Sequence, residues 1–568
     1  MRILPFFVLF LLLFSCEFRK HTKQGDLSFT EQEKPISGGG YPEIRPEACP
    51  GYLPPGGAFI EVEGGRFPQS TYGSSMRMLD FPEGKPPHTS AEVRIISKEA
   101  FSSWEEAGIN DLRFRYFLIE PGDYRDWGPL SLRLSGSERA FRILRYYNPS
   151  VRDPYHPPHP VKMAGDSDRE VLLESFVFEG ANYWILHGLT FRGQASRKRG
   201  LQGGLTSKMK PGSDHNIIDY CLFERFLGIA ALRILQSNYN LIQRCVFRNK
   251  TEGIGVDMGG IVISARAGGE SRGNHIVENE FYNLTDAVGL QYNQPRKGNP
   301  ESRAQTGTVP ATVIENNDIY IEPRLYREKE DGEWACAEDG LDIKVGTKSA
   351  KSEDRILILG NRIWGFRPTD QRCGGSGSTG VGILLHRQAS NILIKDNIIF
   401  NTAQGIVVFG ENPKKAGERV ENITIENNLI YDIRRAVDRE QMGLALRLIA
   451  PCTLRYNTVC KAEELFFLHA RQSEHTLRYN LFKDIKRASG QQIPSGLVAE
   501  ANLWVRVPEK AMVHRGACPD RVVLSEEEVL PWRDYTFYCR RWTGPQSINL
   551  KAVLPAADHL RDFLVPCQ

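Results

Sequence analysis

The densest polar run in the repeating part of the chain is Glu338-Asp339-Gly340-Leu341-Asp342-Ile343-Lys344. Three carboxylates at this spacing offer several hard oxygen ligands, the donor set that a cation such as Ca²⁺ takes. If Gly340 opens a strand, Leu341 and Ile343 alternate toward one face and Asp342 and Lys344 share the other. Lys344 is then either a solvated partner of Asp342 or, with its pKa lowered by nearby cations or burial, a base.

Related runs open on a glycine elsewhere: Gly260-Ile-Val-Ile-Ser264, Gly289-Leu-Gln-Tyr-Asn293, Gly382-Ile-Leu-Leu-His386, Gly405-Ile-Val-Val-Phe409 and Gly443-Leu-Ala-Leu-Arg447. Aligning the glycines puts Ser264, Asn293, Lys344, His386, Phe409 and Arg447 in one outward column, with members about 5 Å apart. Arg266 and Arg387 lie just beyond Ser264 and His386. Cations in such a column would pair with carboxylates or sulfates, and the Phe409 ring would cover the apolar face of a sugar. The expectation is an acidic polysaccharide held by Asn293, Arg266, Arg387 and Phe409. Glu338, Asp339 and Asp342 would hold Ca²⁺. Lys344 is the favoured base, with His386 as the second base or the acid, since histidine works near neutral pH. The plain alternatives are a surface histidine, a lysine paired with Asp342, and an acidic face or structural calcium site.

What would position these residues is a repeat. Alternating apolar residues, a turn residue and an apolar-aromatic pair recur, as in Ile394-Lys-Asp-Asn397-Ile-Ile399-Phe400 and Ile425-Glu-Asn-Asn428-Leu-Ile430-Tyr431. Further copies centre on Asn279, Asn317, Asn361, Asn457 and Asn480, and weaker ones on Gly188, Tyr220 and Arg244. Each short run reads as a strand with one buried face. Asparagine suits the left-handed backbone of a sharp bend, and stacked asparagines can bond along a ladder. No unit buries its face alone, so coils must stack, with loops inserted at one corner. The predicted fold is all-β, a right-handed parallel β-helix solenoid with N- and C-terminal caps.

This layout resembles the pectin-lyase-like superfamily over roughly residues 110 to 490, with Phe117-Leu-Ile-Glu-Pro-Gly-Asp-Tyr124 as its opening strand. Glu338-Asp339-Gly340-Leu341-Asp342 is similar to the acid-acid-Gly-x-Asp calcium run of family 9 pectate lyases. That resemblance implies calcium bridged to a uronate, a lysine base and β-elimination. The sequence departs from the family at two places. Leu384 stands where the lysine belongs, and Val288 stands where a further calcium-binding Asp belongs, with Asp286 two residues away.

The flanks set the context. Arg2, the apolar run Ile3 to Phe14, Ser15 and Cys16 read as an export signal with a lipidated cysteine. The segmentation expected is a signal over 1–16, a tether over 17–45, an N-terminal cap over 46–110, the β-helix over 111–490 and a C-terminal cap over 491–568. The chain is therefore expected at the cell envelope, lipid-anchored and monomeric. Of the eleven cysteines, the ten besides Cys16 suggest disulfides, with Cys336/Cys373, Cys452/Cys460 and Cys518/Cys539 as local pairs. Cys221 and Cys245 occupy equivalent repeat positions, as a bond or as stacked thiols. A net charge of +3 on 568 residues does not argue for nucleic acid. A hydrolase, an epimerase, or a non-catalytic surface protein binding glycan or host matrix are the other functions this face could serve.

Overall fold

A computed structural model describes residues 91–523, apart from 156, 158–169, 193–206, 225–229, 249–258, 292–306, 322–326, 329–333, 336–337, 369–378, 411–419, 436–442, 469–473, 488–495 and isolated positions at 139, 153, 348 and between 510 and 519. The signal, Cys16, the tether, most of both caps, the pairs Cys336/Cys373 and Cys518/Cys539, and Asn293 lie outside the described residues.

The described strands form two fourteen-stranded sheets and one eleven-stranded sheet, every neighbour parallel, with one small two-stranded ribbon besides. The chain visits the three sheets in turn, so the body is a parallel β-helix. Strand–crossover–strand connections of this kind are right-handed almost without exception. Inward columns are aliphatic and β-branched: Ile276, Ile314, Ile358, Ile394 and Ile425 are each fully buried and succeed one another in register. Phe191, Phe223, Phe247 and Phe281 continue the core as a ring stack with centroids 4.6–5.0 Å apart.

The asparagine ladder is present, with one revision of its geometry. The left-handed residue is the one before each ladder asparagine: Glu278, Asn316, Gly360, Asp396, Asn427, Tyr456 and Tyr479 all have φ between 52° and 61°. Bending there turns the next side chain inward. Asn397 Oδ1 accepts from both Asn361 N and Asn361 Nδ2 at 2.9 Å, and Asn397 Nδ2 donates to Ile358 O at 2.9 Å and to Asn428 Oδ1 at 3.0 Å. Cys245 and Cys221 continue the column toward lower numbers as free thiols, Cys221 N donating to Cys245 Sγ at 3.4 Å.

Truncating a ladder member leaves buried backbone donors and acceptors unmet, each costing about 1–3 kcal/mol. Asn397→Ala is therefore expected to lower the unfolding free energy by at least ~2 kcal/mol, read as an earlier denaturant midpoint.

Three expectations change. The coils run past residue 490, because Val498–Glu500, Leu503–Val505 and Arg521–Val523 join the long sheets and Asn502 extends the ladder to Asp520. Insertions fall at two corners rather than one. The ladder corner stays short, while length varies between Tyr320 and Asp339 and between Leu290 and Val313. Cys452 and Cys460 are not joined. Cys452 is a free thiol in the core, whereas Cys460 is disulfide-bonded and lies in register with Tyr431 on a different sheet. Among the described residues no helix is long and apolar enough to cross a membrane.

Candidate functional site

The eleven-stranded sheet carries the polar run. Its strands used below are β1 (Ser207–Met209), β2 (Ala230–Leu235), β3 (Gly259–Ser264), β4 (Asp286–Leu290), β5 (Asp339–Val345), β6 (Val381–Gln388), β7 (Gln404–Val408), β8 (Leu444–Leu448) and β9 (Glu464–Leu468). In β5, Leu341 and Ile343 are fully buried in the core, which leaves Asp342 and Lys344 on the outer wall.

Asp342 is the hub. Lys344 Nζ lies 2.6 Å from its Oδ2, Gln291 Nε2 donates to the same oxygen at 2.6 Å, and His386 Nε2 lies 3.0 Å from its Oδ1. The carboxylate is 1% exposed, while Lys344 and His386 side chains keep about a quarter of their surface. Burial opposes ionisation of Asp342, but the bond to His386 and the charges of Lys344 and His386 outweigh it and hold the carboxyl below its ordinary range. Burial also disfavours charge on Lys344. The carboxylates of Asp342, Asp286 and Asp339 prevail and raise its pKa, so the ammonium keeps its proton.

A β-bulge sets His386. Ile343 pairs with Leu385, but Val345 pairs with Gln388, so the backbone of two residues, His386 and Arg387, stands opposite that of Lys344. An extra residue of this kind twists a strand and re-aims its side chains. Nε2 is the ring nitrogen within ion-pair distance of the carboxylate, although Asp342 Oδ1 accepts no hydrogen bond. Among the described residues Nδ1 has no hydrogen bond. The ring of Phe409 lies beside it, centroids 5.4 Å apart.

The acidic group is larger than the sequence run. Asp286 of β4 pairs in register with Asp339, and one oxygen from each of Asp286, Asp339 and Asp342 lies within 4.8 Å of the others. Burial, then the charges of Asp342, Asp286 and Glu338, push the pKa of Asp339 well above the ordinary carboxylate value. Its Oδ1 is buried and makes no hydrogen bond. A buried, orphaned oxygen between two other carboxylates is the situation a bound cation resolves. The three converging carboxylates therefore fit a hard cation such as Ca²⁺; Asp286 joins Asp339 and Asp342, while Glu338 is not among the converging groups.

The glycine alignment is right in part. Leu384 does pair with Asp342, and it packs with Val407 in a fully buried apolar cluster. Gly289, however, pairs with Asp342 rather than with Gly340, a slip of two residues that had placed Val288 opposite Asp339. Gln291 takes the place expected for Asn293. Arg447 slips likewise by two: it pairs with Val407, in the Asp342 column rather than the Lys344 column, with its guanidinium carbon 5.1 Å from the centre of the Phe409 ring. Ser264 is fully buried and in register with Leu235. Arg266 is exposed beyond β3 and does not join the Asp342 cluster. The Arg387 side chain lies outside the described residues.

No protein-family model and no curated protein matches the sequence. Solved structures that align with it include an alginate lyase from Paenibacillus sp. str. FPU-7, at TM-score 0.31 and 15% identity over 57% of this chain and 92% of that one. The catalytic domain of a GH87 α-1,3-glucanase in complex with tetrasaccharides aligns at TM-score 0.39 and 14% identity, over 72% of this chain and 71% of that one. A mannuronic acid specific polysaccharide family 6 lyase from human gut microbiota aligns at TM-score 0.33 and 11% identity, over 72% and 77%. At these scores the likenesses carry no argument beyond the alignment itself. The parallel β-helix rests on the chain's own three sheets, whose coils place Asp286, Asp339, Asp342, Lys344 and His386 on one wall.

Proposed function

We propose that the protein is carbohydrate-active and cleaves an acidic polysaccharide by β-elimination. The observation that carries this is the convergence of Lys344 and His386 on buried Asp342, beside the carboxylates of Asp339 and Asp286. A binding module needs no such convergence of acid, cation and imidazole in one spot.

Asp286, Asp339 and Asp342, with Glu338 at the strand's start, would hold Ca²⁺, which when bound neutralises a uronate carboxylate and makes the C5 proton more acidic. His386 takes that proton at Nδ1. Asp342 fixes the ring's tautomer and stabilises the imidazolium that forms, the role an orienting carboxylate plays beside a histidine base. Lys344 stays an ammonium and balances charge on the substrate carboxylate, so the base passes from the lysine favoured by the sequence to His386. The C5–H bond breaks, the electron pair forms C4=C5, and the bond from C4 to the glycosidic oxygen breaks. That oxygen leaves with a proton from water. An inverting hydrolase would keep its two carboxyls about 6.5–9.5 Å apart to admit a water. Three oxygens as close as these suit a cation better.

Incubation with a panel of uronate polymers, with and without calcium, tests the reading. The expected result is calcium-dependent absorbance from unsaturated ends on at least one polymer. New reducing ends without that absorbance would identify a hydrolase instead. We further propose export and lipid anchorage through Cys16, which Cys16→Ser should abolish in a fatty-acid labelling experiment.

A further inference from the structure

We propose that Gln291 is a specificity-determining residue that reads an unsubstituted hydroxyl of the sugar chain, so that the Asp342 site takes an acidic polysaccharide with free hydroxyls and discriminates against one O-acetylated there. The inference rests on the reading of that site as one for an acidic sugar, and it adds what the site demands of the sugar besides its carboxylate.

The amide's orientation comes first. Gln291 Nε2 donates to Asp342 Oδ2 at 2.6 Å, the oxygen that Lys344 Nζ approaches at the same distance. His386 and Lys344 keep Asp342 ionised. An ionised carboxylate only accepts hydrogen bonds, so the end of the amide turned to it must be the nitrogen. Charge therefore dictates the flip of Gln291 and directs its carbonyl oxygen elsewhere. Among the described residues Oε1 makes no hydrogen bond, and Gln291 is partly exposed. The preceding coil supplies no donor to it. Val262 is apolar, and Ser264 is fully buried with no hydrogen bond at its Oγ.

The backbone seats the amide. Gly289 pairs with Asp342 from the preceding coil. It is not one of the glycines with positive φ, so its conformation does not require glycine. Space does. A Cβ at 289 would stand 2.9 Å from Gln291 Nε2, 3.1 Å from its Cγ and 3.4 Å from its Cδ. The side chain thus lies back over Gly289 and ends on Asp342. Oε1 is farther from that point than those three atoms, on the side of the amide turned away from the strand. Glycine inside a strand loses conformational entropy and side-chain packing, and it often marks a close approach. Here the sheet forgoes a side chain next to Asp342 and holds one oriented acceptor in its place.

A hydroxyl on an anionic sugar fits this pair of groups. Lys344 Nζ and Gln291 Nε2 reach the same oxygen, so they lie at most about twice 2.6 Å apart. A uronate ring spans a similar distance from its carboxylate to its hydroxyls. With the carboxylate beside the Lys344 ammonium, a hydroxyl donates to Oε1. O-acetylation removes that proton and sets two acceptors against each other, which loses the bond and leaves desolvated groups unmet. A site built to bond a hydroxyl rejects the analogue that lacks it.

The test compares the wild type with Gln291→Lys and Gly289→Ala. The lysine keeps a donor toward Asp342 and removes the outward acceptor. The alanine leaves the glutamine in the chain and displaces its amide. Calorimetric titrations in calcium use hexamers of galacturonate and of mannuronate, each free and O-acetylated, and thermal melts check that each variant is folded. The readout is the ratio of Kd for the acetylated and free forms, since both carry the same carboxylates and a change in calcium affinity moves both alike. The wild type is expected to prefer a free hexamer by about tenfold or more, ~1.4 kcal/mol, and the ratio should fall toward one in each variant. Equal affinity of the wild type for both forms, a ratio that both variants preserve, or no binding of any hexamer overturns the assignment. A ratio that collapses in a protein forming no unsaturated ends on any uronate polymer would keep the hydroxyl contact and discard the elimination. Calcium-dependent unsaturated ends with a ratio that neither variant moves would do the reverse.

Discussion

His386→Ala should lower kcat by about 10²–10⁴-fold, the range general-base removal typically gives, a far larger effect than its cost in unfolding free energy. The asymmetry follows from position. The imidazole is 24% exposed and sits on the outer wall, so its loss opens no core cavity. On the proposed mechanism it is also the base, with Nε2 toward Asp342 and Nδ1 left to take a proton. Added imidazole should restore part of the lost rate, which a merely structural role would not allow. Asp342→Asn should lower the rate too, because a side-chain amide can donate to Nε2 and hold the wrong tautomer. Lys344→Ala is a poorer probe. It strips a cation from a buried carboxylate, and breaking such a pair costs about 3–5 kcal/mol of stability in its own right. Lys344→Arg keeps the charge, and on this reading it retains substantial activity. Full activity in a folded His386→Ala protein would remove histidine from the mechanism and return the base to Lys344.

The coils were legible in the sequence because their physics is local and repeated. Alternating aliphatic residues, a bend and an inward asparagine recur often enough that stacking is the one arrangement that buries every face. The site was legible only where the same periodicity reached it. Leu341 and Ile343 announce an inward face, so Asp342 and Lys344 had to lie outside, and His386 one coil on had to be near. What failed was register. Glycines were used as the alignment mark, yet Gly289 pairs with Asp342 while Gly340 pairs with Gly382's column. A slip of two preserves the inside–outside pattern and leaves no trace in hydrophobicity. It hid Asp286, whose signal was present as an acid two residues from the expected place. The bulge at His386 was equally silent, because one extra residue in a strand changes no composition.

Asp339→Asn should have opposite effects with and without calcium. In metal-free buffer the variant is expected to be more stable than the wild type near neutral pH. Burial and the charges of Asp342, Asp286 and Glu338 raise the folded-state pKa of Asp339 far above its ordinary value of 3.8, and Oδ1 has no hydrogen-bond partner to offset that burial. A carboxyl whose pKa rises on folding binds a proton more tightly in the native state. The native protein then holds more protons than the unfolded chain between the two values, so stability falls as pH climbs from the unfolded value through the folded one. The amide removes that penalty, and the wild type's loss of stability over this window should shrink in the variant. Calcium reverses the order. At a concentration one hundred times its Kd, a ligand bound by the native state alone adds about 2.7 kcal/mol. The wild type should therefore gain in thermal midpoint on calcium addition, and the variant, with a neutral amide in place of one of the converging carboxylates, should gain much less. Asp286→Asn should likewise blunt the calcium response, since its carboxylate meets the same point from the preceding coil. Thermal melts of the three proteins across pH, in chelator and in calcium, read all of these effects together. If calcium moves none of the midpoints, the converging carboxylates are not a cation site. The cluster would then stand as a charged wall in which Asp339 is simply a protonated acid.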